Sequence, residues 1–376
     1  MSRIILSGLI AAVLATPADG SAFSDFNQGI SAHNLGEPAD TIRYMSAALA
    51  NAALPAHLRP AALLDRGQAY AIQKQYDLAL ADYNALLALT PGDYTASLER
   101  GALHVLRKEY ELARADFAEA IRARPGMPRP YAEHGDAFMA ERRFDEALKD
   151  YSDGLAASWW SIEFYRLRSE AYRLSGRYDA AIKEDEAALA RNDKYSGAYI
   201  ARGRAREDMG ELKAALSDYE KAADLESDNP ELPFLEGLVQ WKLARFDDAA
   251  RSFRRMPASA PYVLIWNYLA EARRSPTAGD FVERAAKLDS AGWPAPVVKL
   301  IAGTATADEV VAKAGEGKDA AQRKAEVCEA DFYVGEWQLL HGDEARAKAM
   351  LGDAARDCEI GGVERGAASV ELGRLK

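Results

Sequence analysis

Residues 60–83 read PAALLDRGQAYAIQKQYDLALADY, and thirty-four positions later residues 94–117 read YTASLERGALHVLRKEYELARADF. Gly67 and Gly101 open a series of small residues that continues in the same phase through Gly135, Ser169, Gly203 and Gly237. Twelve positions after each stands an alanine: Ala79, Ala113, Ala147, Ala181, Ala215 and Ala249. Sixteen after stand Tyr83, Phe117, Tyr151, Tyr219 and Phe253, with Asp185 the exception in the fourth unit. A small residue lets two helices approach closely, and an aromatic on the next helix fills the gap. A period of this length with that pattern predicts two antiparallel helices per unit. One hairpin cannot bury its apolar face alone, so the units are expected to stack into an all-α, right-handed solenoid.

Charge follows the same period. Arg66, Arg100, His134, Arg168 and Arg202 precede the small residue, while Asp82, Asp116, Asp150, Glu184 and Asp218 precede the second-helix aromatic position. In phase, these should meet between the helices of each unit as a ladder of ion pairs. A feature repeated in every unit belongs to the scaffold, and each such pair contributes little.

The chain has 376 residues, of which 49% are hydrophobic and 28% charged, the composition of an ordered protein. Its net charge of −11 argues against a nucleic-acid partner, because phosphate binding needs a basic face. Cationic or apolar segments of other proteins suit it better. At the N-terminus, Arg3 is followed by an apolar stretch from Ile4 to Leu14, too short for a membrane span. Gly20 and Ala22 suit cleavage before Phe23, and Ala18 offers an earlier site, so residues 1–22 read as an export signal. No cysteine follows the apolar run to accept a lipid. The mature protein is therefore expected in the periplasm or secreted.

Around the six regular units at 60–263, an atypical first hairpin is expected at 23–59. It has helices over Phe23 to Asn34 and Pro38 to Asn51. Phase blurs over 264–327. There Tyr262 to Arg274 is a clear helix, Phe281 to Leu288 a short one, and Trp293-Pro294-Ala295-Pro296 cannot be helix interior. Short helical pieces are expected at Val297 to Ile301 and Ala307 to Ala314. Residues 328–376 return to repeat form, with Gly335, Ala347, Leu351 and Ala354 in phase. A closing helix from about Val363 to Leu375 should cover the open end with Val363, Val370, Leu372 and Leu375.

No catalytic constellation stands out, and no cofactor or metal is implied. His33, His57, His104, His134 and His341 lack metal-like spacing, and no phosphate-binding glycine loop or nucleophile elbow occurs. Cys328 and Cys358, the two cysteines, begin and end the last hairpin, where antiparallel ends lie side by side. A disulfide is expected. Adjacent Trp159 and Trp160 suit either a cap between the third and fourth units or an interface anchor. Helical phase turns the positions three before, one after and four after the small residue toward the groove side. The candidate partner-binding positions are therefore Leu64, Leu98, Val105 and Met139, followed by Arg166, Arg173, Arg204 and Glu207. An apolar floor passing into a mixed-charge stretch suits an extended or helical client segment. Packing between neighbouring first helices is the competing reading for Leu64, Leu98 and Val105.

Units of the form Ala-x-x-x-x-Arg-Gly-x-Ala-Tyr and Ala-x-Ala-Asp-Tyr resemble the tetratricopeptide repeat (TPR) family throughout 60–263. The distal series is narrower. It comprises Trp293-Pro294-Ala295-Pro296-Val297-Val298, Cys328 to Glu336, Leu339 to Asp343, Glu364 and Glu371-Leu372. It is similar to the C-terminal part of NlpI-type bacterial envelope lipoproteins and related exported repeat proteins. That resemblance implies an envelope adaptor holding peptidoglycan hydrolases and a protease, often as a homodimer. The chain departs from it in lacking the acylated cysteine and in having more repeats. The reading is thus a non-catalytic scaffold or adaptor for protein or peptide partners. A structural module of an envelope or secretion complex and an accessory region of an enzyme are the alternatives.

Overall fold

The computed structural model describes residues 20–257, 259–274, 280–288, 292–359 and 362–376. Most of the expected export signal lies outside the described residues. The chain divides into two compact units, Met1–Trp159 and Trp160–Lys376. The elements of the first are α1 (Gly20–Leu35), α2 (Pro38–Ala50), a 3-10 turn (Ala56–Leu58), α3 (Arg59–Ile72), α4 (Tyr76–Leu89), α5 (Tyr94–Leu106), α6 (Tyr110–Ala123), α7 (Pro128–Ala140) and α8 (Phe144–Ala157). The second holds α9 (Glu163–Leu174), α10 (Tyr178–Arg191), α11 (Ser196–Asp208), α12 (Leu212–Leu225), α13 (Leu232–Lys242), α14 (Phe246–Arg254), α15 (Pro261–Ala272) and α16 (Phe281–Ala285). It continues with α17 (Ala295–Ile301), α18 (Ala307–Ala314), α19 (Ala320–Leu340), α20 (Glu344–Asp357) and α21 (Val363–Arg374). Among the described residues there is no strand.

The hairpins close as the small–aromatic pattern requires. A Cβ added at Gly67, Gly101, Gly135, Gly203 or Gly237 would stand 2.3–2.7 Å from the facing ring of Tyr83, Phe117, Tyr151, Tyr219 or Phe253. Those rings are fully buried or nearly so. In the fourth repeat the pair is replaced by a polar one: Ser169 Oγ donates to Asp185 Oδ2 at 2.7 Å, and Asp185 is completely buried. Burial raises the Asp185 carboxyl to about 8.

The charge ladder forms in the predicted register. Arg66 grips Asp82 through Nε at 2.8 Å and Nη2 at 2.6 Å. Arg100 does the same to Asp116 at 2.9 and 2.5 Å, and Arg202 to Asp218 at 3.1 and 2.7 Å. His134 meets Asp150 at 2.7 Å and Arg168 meets Glu184 at 2.6 Å.

Several boundaries differ from the sequence reading: α1 begins at Gly20, inside the expected export signal, and not at Phe23, α16 ends at Ala285 and not at Leu288, and α17 begins at Ala295 and not at Val297. α13 begins at Leu232 with Pro233 in its first turn, so Pro230 precedes the helix instead of opening it. Pro296 sits in the first turn of α17, where its missing N–H costs no helical bond. α19 begins at Ala320, well before Cys328, because the Asp319 carboxylate accepts from the Gln322 amide at 2.8 Å and caps an earlier start. Cys328 therefore lies inside α19. Trp159 and Trp160 are 67% and 62% exposed, and the boundary between the two units falls between them.

Candidate partner-binding face

In a helix-pair repeat, the face of the first helix turned away from its partner helix is the surface left for other chains. In the first unit this face belongs to α3, α5 and α7. Leu64 is half-buried and packs with Leu63 and Leu86 and against Leu103. Leu98 is 2% exposed and lies in one cluster with Phe117 and Ala137. It serves the scaffold and is closed to a partner. Val105 packs on the same cluster, and both it and Met139 are partly buried.

In the second unit the face belongs to α9 and α11 and is ionic. Arg166 pairs with Glu163 one turn before it, its side chain 35% exposed. Arg173 is 8% exposed and joins two repeats, donating to Glu170 at 2.8 Å and to Asp208 at 2.7 Å. Burial opposes its charge, but the two carboxylates outweigh that and raise its pKa. Arg173, too, is committed to the scaffold. Arg204 pairs with Glu231 and keeps a third of its side chain in solvent. Glu207 accepts from Tyr219 Oη at 2.9 Å and from Lys242 Nζ at 2.6 Å. Of the eight positions, Arg166 and Arg204 keep about a third of their side chains in solvent, and Met139 is partly buried.

The sixth repeat shows the same face occupied. Its equivalent positions are Phe234, Leu238 and Trp241, and Trp241 is fully buried. The Trp241 ring meets Trp266 of α15 at 5.4 Å and Phe332 of α19 at 6.3 Å. The guanidinium groups of Arg273 and Arg374 lie 5.5 and 5.2 Å from its ring centroid. Arg374, on α21, also donates to the carbonyls of Trp241 and Lys242 at 2.9 and 2.7 Å, capping the end of α13. Beneath it runs an ionic array: Arg273 pairs with Glu336 and with Glu371 at 3.0 Å, and Glu371 with Arg374 at 2.5 Å. Glu336 is 0% exposed, and burial pushes its carboxyl up to about 8 against the pull of Arg273. Sequence reading missed this array. The only signal was the departure of residues 238 and 241 from the smaller or charged residues found at equivalent places.

α21 does not merely close the end. Of the four residues expected to cover the end, Val363, Leu372 and Leu375 pack on the core, while Val370 is partly buried and lines a hollow with Tyr178 and Lys242; the buried residues of α21 are Ala367, Ala368 and Glu371, and it reaches back to α13. A disulfide between Cys328 in α19 and Cys358 at the end of α20 holds those two helices together just before α21, with the sulfurs 1.97 Å and the Cα atoms 5.3 Å apart. Among the described residues no group of three His, Cys, Asp or Glu side chains could hold a metal ion, and no helix is long and apolar enough to cross a membrane.

Repeated helical hairpins with a recurring small–aromatic contact and an open first-helix face define a protein-interaction scaffold. The chain belongs to the tetratricopeptide repeat family, whose model matches residues 26–94, 74–128, 133–198 and 200–263. A tetratricopeptide repeat protein from Parabacteroides merdae is similar in fold, with 18% identity, a TM-score of 0.55 and coverage of 67% of this chain and 99% of that one. The C-terminal part of a repeat-containing protein from Cytophaga hutchinsonii is similar at 15% identity and a TM-score of 0.53, covering 64% of this chain and 98% of its own. No curated protein matches the sequence.

Proposed function

We propose that the protein is an exported, non-catalytic adaptor whose first-helix faces hold helical or extended segments of envelope proteins. One observation carries this reading: in the sixth repeat the face positions are filled by helices of the same chain, packed on Trp241 and fixed by Arg374. The face is thus built to receive a helix, and in the earlier repeats Met139, Arg166 and Arg204 leave it accessible. The disulfide supports an oxidising compartment, where such bridges persist. The likeness of the distal segment to NlpI-type adaptors adds hydrolases and proteases as the partners to look for.

The N-terminus sharpens the export claim. Ser21 Oγ accepts from Asn51 Nδ2 at 3.1 Å, and Ala22 is fully buried beside Phe26 and Met45. Cleavage after Ala18 keeps these contacts, whereas cleavage before Phe23 removes them. The chain purified from the envelope fraction should therefore have the intact mass of a protein starting at Asp19; a cytoplasmic chain retaining Met1 overturns export. Arg166→Glu with Arg204→Glu should abolish capture of an envelope partner without lowering the melting temperature. Unchanged capture removes the first-helix face as the site.

A further inference from the structure

A hollow of 610 Å³ opens where α17, α18 and the start of α19 meet, apart from the first-helix faces of the regular repeats. Two short helices stand here in place of one full helix, and residues 320–325 of α19 stay exposed. Trp293, just before α17, and Pro296, in its first turn, line one side with Ala305 and Ala312. The Trp293 ring is fixed by its own edge. Its Nε1 donates to Glu329 Oε2 at 2.8 Å, and the same oxygen accepts from Tyr262 Oη at 2.7 Å. Glu326, on α19, also lines the hollow and is only 7% exposed.

Nothing in the packing of the helices requires a carboxylate at Glu326. Its Oε1 accepts from Gln322 Nε2 at 2.7 Å, and its other oxygen has no hydrogen-bond or ion-pair partner among the described residues. Arg323, one turn before it, donates instead to the Gly317 carbonyl at 2.9 Å. Glu329, one turn after it, receives two neutral donors and no cation. Burial raises the Glu329 carboxyl, and the charges of Glu364 and Glu326 add to that rise. A buried carboxylate is costly unless a cation meets it.

Six charged side chains line the hollow, and burial ranks them. Glu309 is taken up by the Thr306 amide at 2.7 Å, and Lys313 pairs with Glu316 at 2.8 Å. Lys299 and Lys318 are exposed, and neither has an ion pair among the described residues. Water screens these outer charges, whereas a buried charge acts through a lower dielectric and attracts about four times as strongly at the same distance. Glu326 therefore sets the sign of what enters, and the two outer lysines oppose a second cation beside it.

We infer that this hollow binds a single lysine or arginine side chain presented by a partner protein. The cation meets the unpaired oxygen of Glu326, and its aliphatic stem lies along Pro296, Ala305 and Ala312. Trp293 stands beside it, as an aromatic ring attracts a cation. The residues flanking that side chain are neutral or acidic, because Lys299 and Lys318 repel further basic ones. An apolar guest would leave Glu326 buried without a partner, and an acidic one would set like charges together. A metal ion is not the occupant, since no three His, Cys, Asp or Glu side chains among the described residues could hold one.

The test uses the full chain and a fluorescein-labelled heptapeptide, a central lysine flanked by alanines and glycines, read by anisotropy. Binding should saturate and weaken about tenfold or more when that lysine is acetylated. This comparison is made on the unaltered protein, so it does not depend on how any variant folds. Glu326→Gln, which keeps the shape of the side chain, should cause the same weakening with melting no lower. A peptide with three successive lysines should bind less tightly than the single-lysine one, and Lys299→Ala with Lys318→Ala should remove that difference. Absence of saturable binding, equal binding of the acetylated peptide, or unchanged affinity in Glu326→Gln would each overturn the proposal. So would n-butylamine binding as tightly as the peptide, or a preference of the unaltered protein for three lysines.

Discussion

In α3–α8 each glycine–aromatic contact serves one hairpin, and small clusters such as Leu98, Phe117 and Ala137 join each hairpin to the next. In α13–α21 a single cluster runs through α13, α14, α15, α17, α19, α20 and α21, centred on Trp241, Trp266 and Phe332. The first arrangement keeps its first-helix face accessible because every unit meets its needs from its neighbours. The second spends that face on itself. A short helix permits this: where α16 spans only Phe281–Ala285, α19 can pack on α15, ring on ring at 5.3 Å between Trp266 and Phe332. The loss of repeat register is thus what turns a stacking module into a closed core.

The largest expected effect is Trp266→Ala, which should cost the distal helices about 4 kcal/mol by opening a cavity in a shared core. Hydrogen exchange should show lost protection across α13–α21 together, with amides of α3–α8 unaffected. A loss confined to α15 would deny that the distal half is one cooperative body. Next, Cys328→Ser with Cys358→Ser should destabilise the same helices by about 3–4 kcal/mol, read by denaturant unfolding. A repeat array unaltered in the same experiment completes the contrast.

The fourth repeat offers a third test, because its hairpin contact is Ser169–Asp185. Its folded-state pKa of about 8 lies above the ordinary 3.8, so the folded protein binds this proton more firmly than the unfolded chain. The stabilising contribution is full below about pH 4 and is lost as pH rises toward 8. Asp185→Asn should flatten that decline, and Ser169→Gly with Asp185→Tyr should restore the glycine–aromatic contact and stabilise by about 2 kcal/mol at neutral pH. A pH slope unchanged in Asp185→Asn would remove Asp185 as its source. Smallest is the ladder: a double-mutant cycle on Arg100 and Asp116 should give a coupling of about 1 kcal/mol, since the arginine remains partly in solvent.

The regular part of this fold was legible because it is repeated. The Gly67–Tyr83 pairing occurs in five of the six units, and the Arg66–Asp82 pairing or its equivalent in five, so one local rule, repeated in phase, gives the hairpins, the ladder and the register. The helix interiors were safer than the ends: α19 began early because a single capping residue, Asp319, outweighed the repeat phase. The candidate face was legible as a set of positions but not in its chemistry. Leu98 and Arg173 have the right phase and are nonetheless consumed by packing and by pairing between repeats, which depends on neighbours no single unit specifies. The array of Arg273, Glu336, Glu371 and Arg374 joins residues too far apart in sequence, and too irregular in spacing, for any period to connect.

Photo-crosslinking in the envelope fraction tests the central claim most directly, with a benzophenone side chain placed singly at Met139 and Arg204 on the first-helix face and at Leu89 and Asp228 as exposed controls. The account predicts adducts to a second protein from 139 or 204 and none from 89 or 228. Adducts from the control positions alone, or from none of the four, would contradict it.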